Sequence, residues 1–311
     1  MRQLTRLLAV LLLCAGGAVG SPPAPAPPAF SEADIGLNGL EVREVRWGDV
    51  NGDGKLDLVV AGQTGGIGGT RFVRIYHNDL SGSGAFVEDP NDSVFVGFNE
   101  GPLLLGDYDN DGDVDLAYGG WSGGGTGNTL YRHEADGSWT LLAANLRGMK
   151  GADGAWFDYN NDGLPDLVLT GESFDPPSGD YGLVYRNTGF HTFVESTGIL
   201  GSYLGQVSVG DFNNDGRLDL IQCGRTAGVN VLRNFGSSFS STQTLFTHLI
   251  NSAVEWGDYD NDGFLDFAVC GEKADGTLIT EIYKGNGSGT FTPINAGLPG
   301  FYTGEVHWGD C

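Results

Sequence analysis

The side chains best placed to do chemistry in this 311-residue chain are aspartates and asparagines spaced two apart in five short stretches. GDVNGDGKLDL, GDYDNDGDVDL, FDYNNDGLPDL, GDFNNDGRLDL and GDYDNDGFLDF share the pattern D-x-[DN]-x-D-G-x-x-D, beginning at Asp49, Asp107, Asp158, Asp211 and Asp258. Side chains one, three, five and nine of such a loop can converge on one point. Glycine at six permits the sharp turn, and residue seven can add its backbone carbonyl. The side-chain sets are Asp49, Asn51, Asp53, Asp57; Asp107, Asp109, Asp111, Asp115; Asp158, Asn160, Asp162, Asp166; Asp211, Asn213, Asp215, Asp219; and Asp258, Asp260, Asp262, Asp266. The carbonyls come from Lys55, Asp113, Leu164, Arg217 and Phe264. Several hard oxygens around one point suit Ca²⁺, about five ions at one per complete repeat, better than Mg²⁺, which takes fewer protein ligands in stricter octahedral geometry. Zinc is poorly matched, because no histidine or cysteine lies inside these loops. A metal-free row of Asx turns would use the same residue types, but it leaves three or four carboxylates crowded within nine residues without a counter-charge. An EF-hand or dockerin loop needs a carboxylate at position twelve, where this chain has Val60, Tyr118, Leu169, Gln222 and Val269.

The elements that hold these loops repeat with them. Successive loops start 58, 51, 53 and 47 residues apart, and a sixth copy opens at Gly309-Asp310, 52 residues after the fifth. A unit near 52 residues suits a four-stranded propeller blade. Each loop runs into a short apolar stretch such as LDLVVAG or LDLIQCG, then a variable polar segment, then VRIYHN, LYRH, LVYRN, VLRN or EIYKG. An aromatic residue stands 18 to 21 positions before each loop, at Phe30, Phe86, Trp139, Phe193, Phe239 and Phe291, and in five cases an apolar residue follows seven later. Runs of four to seven residues, rich in β-branched and aromatic types and bounded by Gly, Asn and Ser, are strand signatures.

Together these features resemble the FG-GAP and VCBS-type repeats, whose calcium loops are also seen in the integrin α-chain propeller. The likeness runs from Phe30 to Asp310. It implies an all-β propeller of four-stranded blades with a calcium-binding loop in the first hairpin of each, present as five full repeats plus partial ends, and six or seven blades when complete. The literal FG and GAP triplets are missing from most units, so integrin ligand chemistry is not implied. WD40 and kelch readings fail on period and on glycine placement.

Composition agrees with this class. Fifty-three glycines disfavour helices, and 16 basic against 40 acidic residues, a net charge of −24, argue against a nucleic acid or an anionic membrane as partner. Residues 1–20 read as a secretory signal: Arg2 and Arg6, the apolar run Leu7 to Leu13, then the small-residue site Ala18-Val19-Gly20. That run is too short for a transmembrane segment, and no later stretch approaches the length needed. Residues 21–29 are a proline-rich linker, and 30–311 form the propeller. Phe30 to Asp49 matches Phe291 to Asp310 at the same spacing of 19, so the N-terminal outer strand is expected to complete the last blade. The second and third strands of that blade are absent, which predicts truncation at the C-terminus and open sheet edges.

Alternating strand direction places the loops between strands two and three on the face opposite the calcium loops, where variable loops on a rigid scaffold do recognition. Trp121, Phe174 and Tyr181 lie in or beside them as candidate sugar-stacking residues. Trp47, Trp256 and Trp308 share one repeat position and are expected between blades. Cys223 and Cys270 read as small buried strand residues. The function expected is a secreted calcium-binding module, extracellular, periplasmic or at the cell surface, that binds or adheres to a glycan or protein ligand. The alternatives are the scaffold of a polysaccharide-degrading lyase or hydrolase, or a structural spacer in a larger surface protein. No nucleophile elbow or zinc-helix motif assigns a catalytic residue.

Overall fold

The apolar run after each acidic loop is too continuous for a sheet with one wet face, as in DLVVAG (57–62) and DLIQCG (219–224), so it requires packing on both sides. The computed structural model, which describes residues 10–14, 40–65, 69–79, 85–302 and 304–309, shows how this is met. After β1 (Val10–Cys14), five antiparallel four-stranded sheets follow in order. Blade I is β2 (Leu40–Gly48), β3 (Asp57–Thr64), β4 (Arg71–Asp79) and β5 (Ala85–Glu88). Blade II is β6 (Leu103–Gly106), β7 (Asp115–Trp121), β8 (Thr126–His133) and β9 (Trp139–Leu142). Blade III is β10 (Lys150–Phe157), β11 (Asp166–Ser173), β12 (Gly179–Asn187) and β13 (Phe193–Ile199). Blade IV is β14 (Val207–Gly210), β15 (Asp219–Gly224), β16 (Gly228–Asn234) and β17 (Phe239–Phe246). Blade V is β18 (Leu249–Gly257), β19 (Asp266–Lys273), β20 (Leu278–Gly285) and β21 (Phe291–Pro293). A final strand, β22 (Glu305–Gly309), packs on β18 and β19 and pairs in parallel with β1.

First strands of successive blades lie beside one another, so the sheets are arranged as propeller blades with strand one innermost. Side chains on or just before this inner strand reach the backbone of the next: Val207 donates its N–H to Asp153 at 3.0 Å, Val254 to Gln206 at 3.3 Å and Trp308 to Glu255 at 3.1 Å. The second strands form the core. Val59 and Ala61 pack with Leu103, Leu116 and Tyr118 of blade II, while Leu104, Ala117 and Leu130 on the other face of blade II pack with Leu167, Leu169 and Leu183 of blade III. The same sharing joins blades III and IV, IV and V, and V with β22.

The glycine before most loops is a packing device. A Cβ at Gly106 would lie 2.7 Å from Trp156 Cδ1 of the next blade, and one at Gly257 the same distance from Trp308. Trp156 thus belongs to the position of Trp47, Trp256 and Trp308, although it precedes Phe157 where the others precede glycine. Trp47 corrects the expectation of an inter-blade core: it is 55% exposed, touching Phe86 at 6.0 Å between ring centroids, because no described residues pack on that side of blade I. Trp256 is 8% exposed. The last strand's edge is paired with β1, while the expected closing segment at Phe30 to Leu37 lies outside the described residues, as do Asp310 and Cys311. Cys223 and Cys270 are buried, free, and in separate core layers.

Candidate metal centres

The five loops span 49–56, 107–114, 158–165, 211–218 and 258–265, each joining strand one to strand two with the ninth residue opening strand two. One hydrogen-bond frame shapes them all. The first aspartate accepts the N–H of residue five through Oδ1 at 3.0 to 3.1 Å and that of residue six through Oδ2 at 2.8 to 2.9 Å. The fifth residue's Oδ1 then accepts the N–H of residue seven at 2.9 to 3.1 Å. Residues four and six are both left-handed, at φ of 58° and 87° for Asn261 and Gly263, which is why only Asn or Gly stands at four and only Gly at six.

The ninth aspartate does more than the pattern suggests. Asp57, Asp115, Asp166, Asp219 and Asp266 are fully buried, and their Oδ1 atoms accept the N–H groups of Asn78, His133, Asn187, Asn234 and Gly285 at 2.7 to 2.9 Å. Each thus ties the loop to the end of strand three. Burial pushes Asp115 and Asp219 up to about 7 and Asp166 to about 6. A divalent cation beside these carboxylates would supply the counter-charge that burial denies them.

Carboxylate oxygens of Asp107, Asp109 and Asp115 lie within 4.8 Å of one another, as do those of Asp258, Asp260 and Asp262. In loops one, three and four the third position is Asn51, Asn160 or Asn213, so a carboxamide oxygen replaces one acid. This oxygen-only donor set fits Ca²⁺. Basic side chains already hold part of the charge: Arg132 reaches Asp109 at 2.7 Å and Asp111 at 2.5 Å, Arg233 reaches Asp215 at 2.8 Å, Lys284 holds Asp260 and Asp262, and Lys55 pairs with Asp53 at 2.9 Å. Arg132, Arg233 and Lys284 stand at one position of strand three, the second-last residue of LYRH, VLRN and EIYKG.

Neighbouring loops are also joined. Asn110, Asn161 and Asn214 at position four donate Nδ2–H to the carbonyls of Gly163, Gly216 and Gly263 in the next loop at 2.8 to 2.9 Å. Gly52 holds this place in loop one. On the opposite face, Trp121 meets Phe174 edge-on at 5.4 Å, and Phe174 is 45% exposed beneath Lys150 Nζ, 4.7 Å from its centroid. Tyr181 is covered by Arg147, whose guanidinium stands 4.1 Å from its ring. Pairs such as Glu172 with Asp180 extend the ladder to the foot of the strand two–three loop in blade III. No helix among the described residues is long and apolar enough to cross a membrane.

Repeated four-stranded blades with an acidic loop in each first hairpin define a repeat β-propeller. A profile of the FG-GAP-like repeat matches residues 49–118, 107–169, 158–222 and 211–269. The chain belongs to the FG-GAP-like repeat family. Comparison with curated protein sequences returns no match. Among solved structures, it is similar to part of the Photorhabdus luminescens Tc holotoxin pore at 19% identity and a TM-score of 0.41, covering 84% of this chain and 12% of that one. It is also similar to a triple arginine-to-alanine mutant of AofleA from Arthrobotrys oligospora at 11% identity and a TM-score of 0.48, covering 84% of this chain and 74% of that one.

Proposed function

We propose that this chain is a secreted, calcium-loaded recognition module that binds an extracellular glycan or protein on the face opposite its acidic loops. The observation that carries the reading is the uniform loop frame, which in all five repeats fixes the aspartates at positions one, five and nine through backbone hydrogen bonds. A cation there ties the first hairpin to strand three in every blade. Calcium is structural in this reading, and recognition falls to the side chains around Trp121 and Phe174. Extracellular calcium sites commonly dissociate at about 10⁻⁴ to 10⁻³ M, and an ion bound only by the folded state raises stability. The melting temperature therefore rises with millimolar-range calcium and falls with chelator; a flat titration would remove the metal from the reading. Glycan-array binding that is lost on Trp121→Ala and Phe174→Ala supports the recognition face. Product release from an array polysaccharide would replace the binding module with an enzyme.

A further inference from the structure

The five acidic loops are alike in backbone and unlike in what neutralises them. The residue before each strand-three N–H that holds the ninth aspartate occupies one repeat position: His77, Arg132, Arg186, Arg233 and Lys284. In loop two Arg132 spans positions three and five, with Nε 2.7 Å from Asp109 and Nη2 2.5 Å from Asp111, while its Nη1 is on Glu134. In loop five Lys284 spans the same two positions, Asp260 and Asp262. Arg233 reaches only position five of loop four, Asp215, at 2.8 Å. In loop three Arg186 is exposed and makes no ion pair among the described residues, and Asp162 accepts instead from the Asn160 carboxamide at 2.9 Å. His77 in blade I turns to Asp57 and Asp89, and position five of loop one is paired with Lys55 from within the loop.

The placement follows the charge. Loops two and five carry aspartate at positions one, three, five and nine, whereas the other three loops have asparagine at position three. They are also the two loops in which, among the described residues, oxygens of three aspartates converge within 4.8 Å. Carboxylates at that spacing repel one another, and the extra one, Asp109 or Asp260, is held by the strand-three cation. The Arg132 side chain is only 25% exposed and makes two charge-assisted hydrogen bonds to the loop, so solvent and salt screen it less than an exposed pair. A divalent cation coordinated by Asp109 and Asp111 must take their oxygens from the guanidinium and face its like charge. Glu134, outside the loop, already holds the third guanidinium nitrogen and gives the displaced side chain an anchor. Loop three imposes neither cost.

We propose that Arg132 and Lys284 are built-in counter-ions that set the calcium affinity of loops two and five below that of loop three, so that the propeller fills in stages as calcium rises. The proposal rests on the calcium reading above. Its test is a calorimetric calcium titration of the chelator-stripped full chain, with melting curves taken without calcium, for the parent and for Arg132→Gln, Lys284→Gln and Arg186→Gln. The parent titrates in at least two classes of site. Arg132→Gln moves one ion from the weaker class to a tighter one, a gain of about tenfold, the equivalent of about 1.4 kcal/mol. The same variant melts lower than the parent without calcium, because Asp109 and Asp111 lose their counter-charge. Tighter calcium binding together with a weaker calcium-free fold is a combination that a merely structural side chain does not produce. Lys284→Gln, in a separate blade, tightens a different ion and decides the matter if Arg132→Gln folds poorly. Arg186→Gln, at the same repeat position without an ion pair, changes neither readout. Calcium binding by the parent with unaltered or weakened affinity in both loop variants would overturn this proposal alone. Failure of every chain to bind calcium would remove the calcium reading and the proposal with it.

Discussion

At the scale of single residues, the loops separate side chains that ligate from side chains that hold the backbone. The first aspartate uses both carboxylate oxygens to shape the turn, whereas Asp260 at position three, among the described residues, bonds no backbone group and is held by Lys284 alone. Asp260→Ala is therefore expected to remove one calcium from the calorimetric stoichiometry while changing calcium-free stability by less than about 1 kcal/mol, the range of exposed substitutions. Glu44 on the innermost strand is a different case. Burial, and then the charges of Asp153 and Glu305, push it up to about 7 against the pull of Arg46. The folded chain thus keeps a proton that the unfolded chain releases near its ordinary 4.5, and stability is lost as pH rises from there to about 7. Glu44→Gln carries no such cost. Its melting temperature is expected to exceed that of the parent above pH 7 and to match it below pH 4.5, and equal curves throughout would contradict the assignment.

At the scale of elements, the blade is specified by which faces must be covered. Strand two reads as a continuous apolar run because both faces are buried between neighbouring blades, and that was legible from LDLVVAG and LDLIQCG. Less legible was the reason for glycine before the loop, since a glycine next to an Asx turn suggests turn chemistry. The contact of Gly106 with Trp156 shows that the missing side chain makes room for the next blade. Gly106→Ala should cost about 1 to 3 kcal/mol by overpacking and lower the melting temperature. Gly124→Ala, with open space around its Cβ position, should leave it nearly unchanged. Position four of the loop was likewise hidden, because asparagine there satisfies the left-handed backbone without any partner. Its bond to the next loop depends on the spacing between blades.

At the scale of the whole molecule, the tryptophans report which blade faces are covered. Trp256 is buried among Phe212, Phe267 and Phe291, while the equivalent Trp47 stands exposed. Trp256→Ala is expected to cost about 3 to 5 kcal/mol, as for other buried aromatics. Trp47→Ala should cost less than about 1 kcal/mol, in line with surface positions; comparable losses would show that the open side of blade I is covered in solution. The sequence alone determined the repeat, the four strands of each blade, the acidic loops and their oxygen chemistry, because each is written within one unit as local periodicity and turn composition. Only the tertiary structure decided that Trp47 differs from Trp256 and that asparagines tie one loop to the next. Those features arise between units about 50 residues apart, where the twist and spacing of blades, not local pattern, choose the neighbours.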